Sequence, residues 1–111
     1  MNERLTQRAN PAEVAECRRL AASWAPVLQA LANEERLLIA LWLAGSTCSV
    51  RELEHVTGLS QSLVSYHLRA LREAGLVTAT ASGRSNRYRL AHGGLDELAT
   101  LIGTLEPSAE G

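Results

Sequence analysis

The stretch from Gly58 to Val77, GLSQSLVSYHLRALREAGLV, constrains the fold of this chain more than any other. Ser60 is placed to accept from the first free backbone N–H groups of a helix, and Gly75 is placed to end that helix in a left-handed conformation. These signals predict one helix from Ser60 to Ala74. At roughly 100° per residue, Val64, Leu68 and Leu71 fall on one arc with Leu63, His67 and Ala70 at its flank. Gln61, Ser62, Ser65, Tyr66, Arg69 and Arg72 share the opposite side. The apolar arc requires a core to lie on. The other face carries amide, hydroxyl, phenol and guanidinium groups, which are the groups that reach base edges and hold phosphates.

The flanking sequence predicts that core. Asn33, followed by Glu34 and Glu35, is a helix cap with an acidic first turn, and the helix it starts is expected to reach Ala44 before Gly45 stops it. Leu37, Leu38, Ile39, Leu41, Trp42 and Leu43 surround that helix on nearly every side, the pattern of a central buried helix. Ser49 caps a short helix from Val50 to Thr57 with Val50, Leu53 and Val56 facing inward, and Gly58 closes it. After Gly75, LVTATA reads as a strand, SGRSN as a turn and RYRLA as a returning strand, giving a hairpin with arginines at its tip and along its return.

Two seams flank this unit. Val14, Cys17, Ala21, Trp24, Leu28 and Leu31 are spaced 3, 4, 3, 4, 3, and Leu95, Leu98, Ile102 and Leu105 are spaced 3, 4, 3. Such spacings belong to helices that pack along a partner helix. Pro26 lacks an N–H, so a break or restart of the first helix is expected near Ser23 to Pro26. The expected organisation is a flexible tail over residues 1–11, one winged helix-turn-helix domain over 12–105 and a C-terminal tail over 106–111. The fold class is mainly α with a β-hairpin wing. Both seams are expected to pair with a second copy, presenting two recognition helices to successive major grooves.

Composition narrows the class. A chain of 111 residues, 46% hydrophobic and 21% charged, supports one domain with a real core. No window approaches the ~18 apolar residues of a spanning helix, and the polar N-terminus has no signal-peptide apolar region, so a cytoplasmic location with no membrane partner is expected. Cys17 and Cys48 form no CxxC motif, which excludes a disulfide framework or a closed four-cysteine zinc site. The net charge is only −1, but five arginines stand against one acid between Ser60 and Leu90, a local +4 that leaves −5 elsewhere. A basic stripe on an acidic body orients a polyanion. The chain has no Gly-rich phosphate loop and no nucleophile paired with a base, so an enzyme is not expected.

At this point the residues match a family. LANEERLLIALWLAG, SVRELEHVTGLSQSLVSYHLRALREAGLV and SGRSNRYRL, in this order and spacing, resemble the ArsR/SmtB family of winged-helix repressors, many of which sense metals. The resemblance covers roughly residues 25 to 105. It implies a homodimer that binds an inverted-repeat operator in double-stranded DNA and is released by an inducer. It also implies that the cofactor, where there is one, is a transition-metal ion such as nickel, cobalt or zinc. The family's ligand sets are incomplete here. Ser49 and Arg51 stand where arsenic- or cadmium-type members carry paired cysteines. At the start of the last helix stand His92, Gly93 and Gly94, and no histidine occurs in Ile102 to Glu106, so the zinc- or cobalt-type site is not completed in the usual way.

The candidate residues follow. Gln61, Ser62, Ser65, Tyr66, Arg69 and Arg72 are expected to contact bases or phosphates, with Arg84, Arg87 and Arg89 gripping phosphates or the minor groove from the wing. His67 lies on the flank of the apolar arc and reads as a packed, hydrogen-bonded histidine. Val14, Cys17, Ala21, Trp24, Leu95, Leu98, Ile102 and Leu105 are the expected dimer interface. Cys17 reads there as a small hydrophobe. His92, Cys17 and Cys48 are the candidate metal or thiol ligands, with Asp96, Glu97 and His55 as further donors. The two thiols meeting across a dimer would instead make a redox switch. Two other readings stay open: a winged-helix module that docks a protein, and a DNA-binding subunit whose sensing is done by a separate partner.

Overall fold

The computed structural model describes residues 10–91. Helix α1 spans Pro11–Leu31, α2 Glu34–Gly45, α3 Val50–Thr57 and α4 Gln61–Glu73, followed by strands β1, Val77–Ser82, and β2, Ser85–Leu90. The C-terminal seam from Leu95 to Leu105 lies outside the described residues, as do His92, Asp96 and Glu97.

Each helix starts on a side-chain cap. Asn10 accepts from the Glu13 N–H at 2.9 Å, Asn33 from Arg36 at 2.9 Å, Ser49 from Glu52 at 3.1 Å and Ser60 from Leu63 at 3.2 Å. Each of these caps offsets orphan donors of a first turn, at about 1 kcal/mol. Helix α4 ends as its sequence requires. Gly75 adopts φ 77°, its N–H reaches the Arg72 carbonyl at 2.9 Å, and the Leu76 N–H reaches the Leu71 carbonyl at 2.9 Å. That paired closure needs a left-handed residue, and it brings buried Leu71 against buried Leu76.

One core gathers all of these elements except most of α1. Ile39, Ala40 and Leu43 of α2 meet Leu53 of α3, Val64, Leu68 and Leu71 of α4, and Leu76, Val77, Tyr88 and Leu90 of the hairpin. From α1 only its last turns, at Val27, Ala30 and Leu31, pack against this cluster. The hairpin is antiparallel, with Val77 opposite Leu90 and Ser82 opposite Ser85. Cys48 adds a single antiparallel bridge on the other side of β2, to Tyr88.

Several expectations fail for identifiable reasons. Helix α1 does not break near Ser23 to Pro26; it runs through Pro26 without interruption. A proline removes one N–H, and here the alanine-rich neighbours and exposed Ala22 let the helix bear that loss. Helix α2 is not buried all round: Leu37, Leu38, Leu41 and Trp42 are exposed, and only Ile39, Ala40 and Leu43 reach the core. Val56 and Leu63 are exposed as well. The turn is tighter than SGRSN: Ser82 and Ser85 pair, leaving only Gly83 and Arg84 in the loop, with Gly83 at φ 62°. A two-residue hairpin with a positive φ at its first position matches the right-handed twist of the strands, and glycine meets that requirement without strain.

Candidate nucleic-acid interface

The turn before α4 is built by side chains as much as by backbone. Thr57 Oγ1 donates to the Leu53 carbonyl at 2.6 Å and accepts from the Leu59 N–H at 3.2 Å. Gly58 closes α3 at φ 76°. The chain then enters α4 at Ser60, and the two helices form a helix-turn-helix.

Helix α4 divides cleanly by face. Val64, His67, Leu68 and Leu71 are buried. Gln61, Ser62, Ser65, Tyr66, Arg69 and Arg72 are all exposed, Tyr66 by 61%. The six side chains expected to meet nucleic acid are therefore brought together on one solvent-facing surface. They present donors, acceptors and two guanidinium groups within one helix length.

His67 is a fastener, as its flank position suggested. It is the buried polar residue of the core, at 3% exposure, and its two ring nitrogens have different partners. Arg36 Nη1 stands 3.3 Å from Nδ1, and a guanidinium can only donate, so Nδ1 accepts. Nε2 therefore carries the hydrogen and donates to Glu35 Oε1 at 2.8 Å. Arg36 also donates from Nε to the Ala30 carbonyl at 2.6 Å. This chain of contacts ties α4 to the first turn of α2 and the last turn of α1. Nothing in the sequence pointed from His67 to Glu35 and Arg36, which lie more than thirty positions away.

The wing arginines separate. Arg84 in the turn and Arg89 on β2 are exposed and make no hydrogen bond or ion pair among the described residues. Arg87 is engaged with its own protein: Nη1 meets Glu52 Oε1 at 2.9 Å, Nη2 donates to the Thr47 carbonyl at 2.8 Å, and Nε and Nη2 both reach Thr47 Oγ1. Glu52 Oε1 also accepts from the Ser49 N–H at 2.9 Å, completing a capping box. That backbone hydrogen bond above all, helped by the Arg87 charge, holds the Glu52 carboxyl below the usual carboxylate range against an opposing desolvation. The Ser49-x-x-Glu52 spacing was the available signal for this cap, and the role of Glu52 was missed.

Two open grooves flank the junction of α4 and the wing. One, of about 430 Å³, lies between Ser65, Arg69 and Arg72 on one side and Tyr88 on the other. A second, of about 690 Å³, runs from Arg51 and Gln61 to Ser85 and Asn86, again beside Tyr88. Arg51, Asn86 and Tyr88 are not among the residues the sequence points to for nucleic acid, because a lone arginine and a turn asparagine carry no pattern.

The described interface residues share α1, whereas the described candidate ligands lie on separate elements. Val14, Cys17 and Ala21 are exposed on α1 and Trp24 is half-buried. Cys48 is buried beside Tyr88, whereas Cys17 is exposed. His55 is exposed at the end of α3. Among the described residues no group of three or more His, Cys, Asp and Glu side chains is arranged to hold a metal ion. At the positions of the arsenic-type site, Ser49 is occupied as a cap and Arg51 is a cation. That donor set does not fit a metal. No described helix is long and apolar enough to cross a membrane.

Known proteins share this arrangement. The family model for bacterial regulatory proteins of the arsR family matches residues 33–79, from the cap of α2 into the first wing strand. The chain is 44% identical over 70 residues to the transcriptional regulator NmtR of Mycobacterium tuberculosis, covering 63% of this chain and 58% of that protein. It is 46% identical over 65 residues to the transcriptional repressor SmtB of the same species, covering 59% and 48%. It thus spans about half the length of these two mycobacterial relatives. With the transcriptional regulator YgaV of Escherichia coli it shares 34% identity over 95 residues, 85% of this chain and 93% of that one. Among solved structures, the transcriptional regulator HlyU of Vibrio vulnificus superposes with a TM-score of 0.69 at 33% identity, covering 86% of this chain and 99% of that one. A homodimeric winged helix-turn-helix DNA-binding domain from Mycobacterium bovis gives a TM-score of 0.66 at 31% identity, covering 87% and 86%. With a near full-length relative, the family model and the winged helix-turn-helix in agreement, the chain belongs to the ArsR family of bacterial transcriptional regulators, a non-enzymatic family.

Proposed function

We propose that this protein is a sequence-specific transcriptional repressor that binds an inverted-repeat operator as a homodimer. The observation that carries this reading is the outward face of α4, where Gln61, Ser62, Ser65, Tyr66, Arg69 and Arg72 are all exposed on a helix fixed from behind. Gln61 suits adenine, Arg69 suits guanine, and the serines and Tyr66 suit phosphate oxygens or either base. Arg72 extends the cationic edge, and Arg84 and Arg89 reach the backbone or the minor groove beside the wing. The repressor sense is supported by the similarity to the mycobacterial repressor.

The homodimer is supported by α1, which buries no residue in a single chain, and by the homodimeric neighbour. The interface would be Val14, Cys17, Ala21 and Trp24 of α1 together with Leu95, Leu98, Ile102 and Leu105. Doubling α4 about a two-fold axis presents two recognition helices about one DNA turn apart. Its inducer would be sensed by groups outside the arsenic-type positions, with His92, Cys17 and Cys48 as the donors available. Calorimetric titration of nickel, cobalt and zinc tests them.

A gel-shift titration on the protein's own promoter tests the central reading. Arg69→Ala and Gln61→Ala each lose tenfold or more in affinity, at about 1–3 kcal/mol per base contact, while sedimentation finds the dimer unchanged. Retained affinity in both variants overturns it.

A further inference from the structure

The wing is fastened to the helix-turn-helix at one corner. Tyr88 of β2 exchanges two backbone hydrogen bonds with Cys48, at 3.0 and 2.8 Å. Strand alternation puts Arg87 on the face opposite buried Tyr88. From there its guanidinium spans two places: the Thr47 carbonyl and hydroxyl, and the carboxylate of Glu52 in the first turn of α3. Three of its nitrogens are committed within the protein. Arg84 and Arg89 have no such partners among the described residues.

We infer that Arg87 is a positioning residue: by bridging Thr47 and Glu52 it sets the wing against α3 and α4 and does not itself neutralise a phosphate. This rests on the DNA-binding reading above and gives Arg87 a different role from the wing contact expected from sequence. The two roles predict opposite behaviour at Glu52. Were Arg87 a phosphate ligand, removing the neighbouring acid would free it and strengthen DNA binding. As part of a latch, Glu52 is needed and its loss weakens binding. Glu52→Gln is a clean probe, because glutamine also serves at the third position of a capping box and α3 keeps its cap.

The experiment titrates a fluorescent duplex of the protein's own promoter with wild type, Arg87→Gln, Glu52→Gln, the double variant and Arg89→Gln over a range of salt. Backbone amide exchange is measured on the same free proteins. Each latch variant is expected to lose roughly threefold to tenfold in affinity with a salt slope equal to wild type, and the double variant no more than either single. Arg89→Gln is expected to lower the slope by about 0.9 per protomer. Exchange at the Tyr88 and Cys48 amides is expected to rise in both latch variants, a change that lost phosphate contact would not produce. Tighter binding by Glu52→Gln, a reduced slope for Arg87→Gln, or unchanged exchange overturns the inference alone. Wild type without salt-dependent affinity for duplex DNA overturns the DNA-binding reading and the inference with it.

Discussion

Leu71 on α4 is 0% exposed and Val14 on α1 is 42% exposed, although both belong to runs with the same helical spacing of apolar residues. Helix α4 buries four of its 13 residues, whereas α1, with 21, buries none. The difference teaches that periodicity identifies a face that needs covering but not what covers it. The winged head closes on itself, since α2, α3, α4 and the hairpin each contribute to one cluster. Most of α1 stands outside that cluster and keeps its seam available.

The contrast can be tested in order of expected effect. Leu71→Ala opens a cavity in the closed half and is expected to cost about 2–5 kcal/mol by urea unfolding; a cost under 1 would mean the head is not the self-sufficient unit its packing suggests. His67→Ala leaves the Arg36 and Glu35 side chains without their bridge, and a loss of about 1–3 kcal/mol in the same assay is expected. Ser60→Ala removes the α4 cap for about 1 kcal/mol, visible as a lower thermal midpoint. Val14→Ala, on the open half, is expected to shift unfolding of the head by less than about 0.5 kcal/mol while weakening association in sedimentation equilibrium. A large effect on the head would erase the distinction between the halves.

The smallest effect concerns acid. Glu52 has its folded carboxyl held below the ordinary value of 4.5, so the unfolded chain binds that proton more tightly. Its contribution is complete above that value and is lost as pH falls through the lower folded value. Acid unfolding of Glu52→Gln is therefore expected to show a slightly shallower loss of stability below about pH 4.5 than wild type. The pair is half exposed, which keeps the difference small.

What could be read from sequence was local. Caps at Asn33, Ser49 and Ser60, left-handed stops at Gly58 and Gly75, and the division of α4 into two faces depend on neighbours within a turn or two, and the structure repeats them. What escaped depended on distant partners. Leu41 and Trp42 looked like core because α2 is apolar all round, but the head offers it only one side. The contacts of Arg87 were hidden for the same reason: it stands between two other basic residues of the wing, and its partners Thr47 and Glu52 lie forty and thirty-five positions earlier. Pro26 looked like a stop because a missing donor is a local fact, whereas the tolerance of α1 for it belongs to the whole helix.

The division of α4 has a consequence for how such a protein changes over generations. The four side chains that hold the helix and the six that face outward share no member. Substitutions at exposed positions of this kind usually shift stability by no more than about 0.5 kcal/mol. The outward six can therefore be rewritten one at a time, each variant inheriting a finished scaffold, so drift in what the helix meets does not have to wait for the fold to be solved again.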